Sequence, residues 1–478
     1  MTITNNARLI RRDILARLSK ILLKDYDLSE ADRIAVDMRP RGGSHVRCCV
    51  YRDRAVIRYK IMNMLGFDSN HEEDELTGLG SYLQRYLDGE TQSSAILNVD
   101  DEACSSCQKS NYVVTNMCRG CVGRPCMLNC PKDAITFDGN RARIDADSCV
   151  NCGLCQKVCP FHAIIYSPVP CEEACPVGAI QKDEQGKEKI EMEKCTLCGK
   201  CLDACPFGAI VEKTDLFKVI DAIRKDQQVI AMVAPSIAGQ FRESMEQITG
   251  SIIELGFSSV YEVAMGADVT SRKEAAEYKE KSAAGESMTT SCCPAYVNLV
   301  RKHAPELLPY VSSTLSPMEY TARMLRKQYP DSRLVFIGPC VGKKGEAEKS
   351  HNVDYVLNFE ELGSWLIAGG IEISKCPVSQ LDESVTNRAR LYARSGGVSE
   401  AVAWKIPELN VKTACFDGID KKFPRKLRPA LKNNHPRLIE VMACEGGCLG
   451  GCYSIVSPKA ANRQLEKFAG QHSLNMEE

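Results

Sequence analysis

The sequence lacks a long apolar run, an excess of charge of either sign and a nucleotide-binding glycine motif. No stretch approaches the roughly 18 consecutive apolar residues that a membrane-spanning helix needs. The first residues, MTITNNARLIRRDIL, contain neither an apolar segment nor a small-residue cleavage site, so they do not resemble a secretory signal. The 61 lysines and arginines against 62 acids give no support for nucleic-acid binding. We therefore expect a cytoplasmic protein that binds neither membrane nor nucleic acid.

A glycine-rich G-x-G-x-x-G turn after a strand is also missing, so no dinucleotide site is expected. Cysteine, by contrast, is abundant, with 26 residues in a chain of 478. Disulfide-rich proteins are usually short and secreted, whereas clustered thiols in a reducing compartment more often bind metal. Most of the cysteines lie between 104 and 205 or from 292 onward. The sequence therefore predicts metal sites in two parts of the chain.

These differences in composition predict three regions. Residues 1–95 are expected to form a small N-terminal domain, helical and of mixed character, whose role the sequence does not indicate. Residues 100–212 have few apolar runs and many Cys-Pro and Cys-Gly pairs, so metal rather than a large core would organise them. Residues 215–478 alternate buried-strand runs such as 229–233 with helical patterns such as 270–281, which predicts an α/β domain with parallel sheets.

Two segments of the middle region match the run C-x2-C-x2-C-x3-C-P at every position. They are Cys149, Cys152, Cys155 and Cys159, and Cys195, Cys198, Cys201 and Cys205. In bacterial-type ferredoxins such runs hold [4Fe–4S] clusters, and the fourth cysteine ligates the neighbouring cluster. The alternative, a four-cysteine zinc site, uses two C-x2-C pairs without this run. The runs therefore predict α+β ferredoxin-like domains.

Each complete run needs a partner run upstream. The first finds it in Cys118, Cys121, Cys126 and Cys130, with a longer gap before Cys126. Exchange of the fourth cysteine then gives one cluster on Cys118, Cys121, Cys126 and Cys159, and another on Cys130, Cys149, Cys152 and Cys155. We expect this two-cluster ferredoxin, at about 112–168, to be the outer relay at which an electron partner docks.

The second complete run has only a half partner, which contains Cys171 and Cys175. The missing pair is available at Cys104 and Cys107, although an unrelated site for these two is the alternative. We infer a ferredoxin-like domain that the two-cluster ferredoxin interrupts. A third cluster would take Cys104, Cys107, Cys171 and Cys205, and a fourth would take Cys175, Cys195, Cys198 and Cys201. The fourth is expected to lie nearest the C-terminal domain, which follows it directly.

Three cysteine-bearing loops of the C-terminal region read TSCCP at 290–294, PCVGKKGE at 339–346 and MACEGGC at 442–448. The second and third follow strand-like runs, where α/β proteins place their sites. In this order the motifs resemble the signature loops of the [FeFe]-hydrogenases, over roughly residues 171–452. The resemblance implies a catalytic domain of two parallel-sheet lobes and the reversible reaction 2H⁺ + 2e⁻ ⇌ H₂.

In that family the reaction occurs at an H-cluster, a [4Fe–4S] cubane joined by one cysteine to a diiron site with CO, CN⁻ and a dithiolate amine. The residues that resemble the cubane ligands are Cys293, Cys340, Cys444 and Cys448, with Cys448 as the bridge. Cys292 resembles the thiol that passes protons to the amine, and Lys343 resembles the lysine that hydrogen-bonds a cyanide. The residues that resemble the surroundings of the diiron site are Ala234, Pro235, Ser236 and Met442.

The family's proton route corresponds to Glu277, Ser312 and Glu274, leading to Cys292. Two solvated acids on one helix face are the alternative for the glutamates. The four [4Fe–4S] clusters that the spacing predicts would then be an electron relay. The resemblance implies ferredoxin or a similar small protein as electron partner, together with H-cluster maturation proteins. A hydrogen sensor of low turnover and an iron–sulfur assembly protein of the hydrogenase-like family are the alternatives.

Several positions depart from the family pattern. Tyr296 stands where a tryptophan is usual, Gly338 and Met318 where a methionine and a glutamine are usual, and Glu445 where a proline is common. These departures resemble the group B branch, and they touch residues around the cluster, which tune potential and solvent access. Cys452 is expected to be a buried structural cysteine, with a redox-sensitive thiol as the alternative. Cys376 and Cys415 are expected to pack, and Cys48 and Cys49 to be buried or free thiols.

Overall fold

The computed structural model describes residues 5–24, 27–72, 74–93, 95–109, 111–381, 384–432 and 435–471. Four helices lie in the N-terminal region: α1 (Asn6–Leu23), α2 (Ile34–Met38), α3 (Val50–Met64) and α4 (Leu79–Leu87). Leu18, Ile61 and Leu83 from these helices belong to the same hydrophobic core as Phe217 and Trp365 of the C-terminal region. The N-terminal helices therefore share a core with the α/β part of the chain.

The middle region consists of short antiparallel hairpins and single-turn helices. Its strands are β1 (Leu97–Val99), β2 (Asn111–Val114), β3 (Ile135–Asp138), β4 (Arg141–Ile144), β5 (Ile164–Ser167), β6 (Ile180–Lys182), β7 (Glu188–Ile190) and β8 (Ile210–Glu212). Its helices are α5 (Pro125–Leu128), α6 (Leu154–Val158), α7 (Pro170–Ala174) and α8 (Lys200–Ala204). The pairs are β1–β8, β2–β5, β3–β4 and β6–β7. Because β2 pairs with β5 inside the span that β1 and β8 close, one small α+β unit is nested within another.

The C-terminal region contains two parallel sheets. Their strands are β9 (Val229–Val233), β10 (Ser259–Glu262), β11 (Met288–Thr289), β12 (Arg333–Ile337), β13 (Tyr355–Leu357), β14 (Thr413–Phe416) and β15 (Leu438–Val441). One sheet has the order β10-β9-β12-β13 and the other β11-β15-β14. Strand β9 pairs with β12 from Val229 opposite Arg333 to Val233 opposite Ile337. All five β9 residues are buried, as expected of a parallel strand that helices cover on both faces.

Within the described residues of this region, eleven α-helices connect and cover the strands. They are α9 (Leu216–Arg224), α10 (Met245–Glu254), α11 (Ala264–Ala283), α12 (Pro294–His303), α13 (Pro317–Gln328), α14 (Gly342–Ser350), α15 (Phe359–Gly369), α16 (Asn387–Arg390), α17 (Gly397–Trp404), α18 (Phe423–Leu431) and α19 (Pro458–Gln471). Short 3₁₀ helices lie at Leu28–Arg33, Ser69–His71, Pro235–Gly239, Pro305–Tyr310, Ile373–Lys375, Leu391–Ala393, Pro407–Leu409 and Gly447–Gly450. The predicted α/β class of this region is confirmed. Within the described residues, no helix is long and apolar enough to cross a membrane.

The carboxyl ends of the strands position the loops that the sequence motifs mark. Ala234 follows β9 directly, Cys340 comes three residues after β12, and Met442 follows β15 directly. Cys292 comes three residues after β11. Since β9 and β12 are neighbours in one sheet and β11 and β15 in the other, these ends bring the loops toward one place.

Candidate functional site

One buried cavity of about 90 Å³ lies where these loops meet. Most of the predicted catalytic-domain residues line it: Ala234, Pro235, Ser236, Cys292, Cys293, Cys340, Lys343, Met442, Cys444 and Cys448. Their positions span more than 200 residues of the chain, so only the fold brings them together. The remaining three predicted residues, Glu274, Glu277 and Ser312, lie outside the cavity wall.

Glycines allow the third loop to reach the cavity twice. Gly446 and Gly447 both have positive φ, 78° and 74°, a conformation that glycine adopts without strain. A Cβ on Gly447 would lie only 2.8 Å from the carbonyl oxygen of Ala393. The chain therefore turns tightly between Cys444 and Cys448, and both thiols face the same cavity.

The donor set around the cavity fits a thiolate-bound cluster with anionic ligands. Cys293, Cys340, Cys444 and Cys448 stand on its walls, and burial raises the pKa of Cys340 and of Cys448 to about 12. A positively charged metal centre lowers the pKa of such thiols and favours the thiolate. Among the described residues, no three His, Cys, Asp or Glu side chains converge as the ligands of a single metal ion would.

Two polar groups on the wall suit an anionic ligand. Lys343 Nζ donates to Ser316 Oγ at 2.9 Å and to Glu346 Oε2 at 2.6 Å, and an ammonium carries a third proton. Ser236 is fully buried, and its Oγ has no hydrogen-bond partner within the described part of the chain. A buried hydroxyl without a partner is costly, so a hydrogen-bonding ligand in the cavity would satisfy it.

Sequence reasoning missed several residues of the cavity wall. Tyr392 lines it and shares a 2.8 Å hydrogen bond with Ser271, although no motif marks either residue. Phe336 also lines the cavity, and a Cβ on Gly338 would lie 2.6 Å from its ring. Gly338, which stands where the family usually has a methionine, was therefore a sequence signal for this part of the cavity wall. Only a glycine there leaves room for the Phe336 ring. Met318, which stands where the family usually has a glutamine, lines the cavity as well.

The proton-route residues form two hydrogen-bonded groups. Ser312 Oγ donates to Glu277 Oε2 at 2.7 Å. Glu274 Oε1 accepts from the backbone amide of Ser291 at 3.0 Å and from its hydroxyl at 3.2 Å. Thr314 joins the groups, because its amide donates to Ser312 Oγ at 3.1 Å and its carbonyl accepts from Ser291 Oγ at 2.6 Å. Neither Ser291 nor Thr314 was predicted.

Burial sets the protonation of the inner group. Glu274 is fully buried, and burial raises its pKa to about 7, only partly opposed by the hydrogen bonds from Ser291. Its Oε2 has no hydrogen-bond partner among the residues that the structure describes. Burial, assisted by the charge of Glu274, raises the pKa of Cys292 well above that of an ordinary thiol. Cys292 therefore remains a protonated thiol, and Glu274 can gain or lose a proton near neutral pH.

Two smaller cavities gather the cysteines of the nested ferredoxin unit. One is lined by Cys118, Cys121, Cys126 and Cys159. The other is lined by Cys130, Cys149, Cys152 and Cys155. These are the two sets that the exchange of fourth cysteines predicts. Helix α6 carries Cys155 into one cavity, and the residue after its end, Cys159, reaches the other.

The other eight cysteines of residues 104–205 lie in two further groups. Cys107 is close enough to Cys104 and Cys205 for electrostatic interaction with both, and Cys171 is close enough to Cys205 for the same interaction. Cys175 in turn influences both Cys195 and Cys201. The antiparallel pairing of β1 with β8 explains how residues near 104 and 205 meet. Cys198 has a further position that spacing did not predict, since it also lines the catalytic-domain cavity.

Comparisons with known proteins agree with this geometry. Residues 227–452 match the family "Iron only hydrogenase large subunit, C-terminal domain". Residues 117–163 and 170–209 match the "4Fe-4S dicluster domain". Both matches place iron–sulfur clusters in this chain, as the sequence predicted.

Three relatives illustrate the range of similarity. Iron hydrogenase 1 of Clostridium pasteurianum is 27% identical over 77% of this chain and 75% of its own length. The periplasmic [Fe] hydrogenase large subunit of Nitratidesulfovibrio vulgaris is 29% identical over 66% of this chain and 86% of its own. A probable cytosolic Fe-S cluster assembly factor of Culex quinquefasciatus is 25% identical over 52% of this chain and 64% of its own. Taken with the cavity and its cysteines, these matches show that residues 227–452 form a domain of the [FeFe]-hydrogenase family.

Proposed function

We propose that this protein is a ferredoxin-linked [FeFe]-hydrogenase that catalyses 2H⁺ + 2e⁻ ⇌ H₂. The observation that carries the proposal is a thiol in the cavity, Cys292, that is not needed as a ligand of any proposed cluster. It lies beside Glu274, whose hydrogen bonds continue through Ser291 and Thr314 toward Glu277. An assembly factor that only carries or transfers clusters has no use for such a proton route.

The residues on the cavity wall would hold the H-cluster. Cys293, Cys340, Cys444 and Cys448 would bind the cubane, and Lys343 with its third proton would hold an anionic ligand of the diiron site. When bound, the H-cluster would supply the redox centre at which protons and electrons combine. The apolar side chains of Met318, Phe336 and Met442 would exclude water from this centre.

The proton route would work in steps set by pKa. Glu277 lies at the half-buried outer end of the route, and Ser312, which is buried and donates to it, leads inward. Glu274, with its pKa near 7, would take the proton inward, and Cys292 would deliver it to the cavity. A group whose pKa matches the working pH is the most effective carrier, because it is neither too weak an acid nor too weak a base.

Electrons would follow the four predicted clusters in order. The fourth cluster, on Cys175, Cys195, Cys198 and Cys201, would lie next to the H-cluster site, because Cys198 is part of the wall of that cavity. The nested ferredoxin would be the outer relay. Tyr166 at the end of β5 donates to Glu173 Oε1 at 2.8 Å, which ties one end of the unit to the rest of the protein.

Tyr112, whose ring lies 5.2 Å from that of Tyr166, lines the cavity of the Cys130 set. That cavity is therefore at the attached end of the nested ferredoxin, and the cavity of Cys118, Cys121, Cys126 and Cys159 is at its free end. The free end would receive the electron partner.

The surface at the free end favours an acidic ferredoxin. Val122 is fully exposed there, and Met117 is 60% exposed. Arg119, Arg124 and Arg141 are exposed around them, whereas the attached end carries the exposed acids Asp133, Asp145 and Asp147. A basic rim around apolar residues steers and then docks a partner of opposite charge.

Infrared spectroscopy of the protein after exposure to H-cluster maturation proteins tests the proposal, together with H₂ evolution from reduced viologen. CO and CN⁻ bands with turnover support a hydrogenase. Bands with very slow turnover would indicate a hydrogen sensor, and no bands after competent maturation would favour an assembly factor, the role that one relative's name carries.

Cys292→Ala tests the proton route within the same assay. We expect the CO and CN⁻ bands to remain, because Cys292 ligates no iron, while turnover falls by about 10²- to 10⁴-fold, the usual contribution of a positioned acid–base group. Cys415→Ala, at an exposed thiol, is the matched control and should be silent. Wild-type turnover in Cys292→Ala would remove the relay from the proposal.

The finer assignments belong to the same proposal. They are the N-terminal region at 1–95, the split cluster domain at 100–212 with its insert at about 112–168, the catalytic domain at 215–478, and the likeness to the group B branch.

A further inference from the structure

Helix α1 contacts two ligand-bearing loops at the same time. Arg8 Nη2 donates to the carbonyl oxygen of Cys452 at 2.5 Å and also pairs with the carboxylate of Asp203. Cys452 belongs to the loop of Cys448, and Asp203 lies two residues after Cys201. A single guanidinium therefore joins the loop of the H-cluster site to the loop of the fourth cluster.

Arg11, one turn further along α1, reinforces this link. Its guanidinium carbon lies 4.2 Å from the centre of the Tyr453 ring, and its Nη2 is 2.9 Å from Glu212 Oε2. Lys344 Nζ lies 3.2 Å from the other oxygen of Glu212. Lys344 follows Lys343 on α14. The ion pairs from Arg11 through Glu212 to Lys344 therefore connect α1 to the helix that carries Lys343 at the cavity wall.

The two loops also touch each other directly, beneath Arg8. A Cβ on Gly199 would lie 2.5 Å from Cys452 Sγ, so the thiol packs against the bare backbone of the fourth-cluster loop. Gly199 also has a φ of 77°, which favours glycine. Its neighbour Cys198 lines the catalytic cavity. The loops therefore touch at Cys452, the residue whose carbonyl oxygen Arg8 also bonds.

We propose that Arg8 is a positioning residue for electron transfer between the fourth cluster and the H-cluster. It fixes the separation of the two loops by bonding a carbonyl on one and a carboxylate on the other. Arg8 and Cys452 are 444 residues apart in the sequence, and no motif in residues 1–95 indicates this role. The inference rests on the proposed function, because it needs both cluster sites.

Arg8→Gln and Arg8→Lys test the inference, with Arg12→Gln as the matched control. Arg12 lies on the same helix and bonds Glu360 at 2.7 Å. The measurement is the magnetic interaction between the reduced fourth cluster and the cubane of the H-cluster site, by electron paramagnetic resonance. It uses full-length protein reconstituted with [4Fe–4S] clusters only, so it needs no hydrogen chemistry.

We expect Arg8→Gln to change this interaction and, in matured protein, to slow ferredoxin-driven H₂ evolution by about tenfold to a hundredfold, as small misplacements of reacting groups do. Arg8→Lys, which keeps the charge, should restore part of both, and Arg12→Gln should alter neither. A wild-type interaction and rate in Arg8→Gln, whatever its melting temperature, would overturn the inference.

Two further outcomes are distinguishable. If wild-type protein shows no interacting pair of reduced cubanes, the cluster assignment of the proposed function fails instead. If Arg8→Gln does not retain its iron, Arg8→Lys decides the matter: an unchanged interaction there, with wild-type H₂ evolution, overturns the positioning role, and a changed one supports it.

Discussion

Glu274→Gln should make the protein more stable and less active at the same time. In the folded protein the pKa of Glu274 is about 7, whereas an unburied glutamate has 4.5. Because the folded pKa is the higher one, burial costs no stability below the unfolded pKa, where both states are protonated. The cost grows as pH rises from 4.5 to 7 and is constant above that. At about 1.4 kcal/mol per pKa unit it reaches about 3 kcal/mol.

Glutamine has the shape of the protonated carboxyl but cannot ionise. Its carbonyl oxygen can keep the hydrogen bond from the Ser291 amide, and its amide group takes the place of Oε2. We expect the variant to exceed the wild type by about 3 kcal/mol at pH 8 and by less than about 1 kcal/mol at pH 5. Turnover should fall by about 10²- to 10⁴-fold, because the amide carries no exchangeable acid proton.

Anaerobic urea unfolding at several pH values measures the first effect, and viologen-driven H₂ evolution measures the second. Glu280→Gln, at an exposed position of the same helix, is the control and should change neither. A stability difference that does not vary with pH would refute the reasoning about burial. Wild-type turnover in Glu274→Gln would refute the relay.

The remaining predictions concern the electron path. Arg119→Glu with Arg124→Glu should raise the KM for an acidic ferredoxin about tenfold or more at low salt and leave viologen-driven activity unchanged, because only protein docking uses that surface. Lys327→Glu, an exposed charge on α13, is the matched control, and an equal effect there would contradict the docking site. Cys104→Ala should lower the iron content by about four atoms per chain, the content of one cubane. An unchanged iron count would show that Cys104 holds no cluster.

The sequence by itself determined the features that depend on local spacing. In each ferredoxin run, three thiols lie within a few residues of one another and the fourth is expected to reach the neighbouring cluster. The cavities gather these same sets. Periodicity also located a helix: the helix predicted at 270–281 lies within α11, which spans Ala264–Ala283. The three signature loops were enough to indicate the family, since each carries its cysteines within a few residues.

Only the tertiary structure decided which distant residues act together. Cys198, a predicted ligand of the fourth cluster, also lines the cavity of the C-terminal region because its loop packs against that region. The Phe336 ring occupies the space above Gly338, and Thr314 joins two halves of the proton route through its backbone. Arg8 reaches Cys452 from the opposite end of the chain. Such contacts leave no local pattern, because they depend on how separate elements pack and on which buried groups still need a partner.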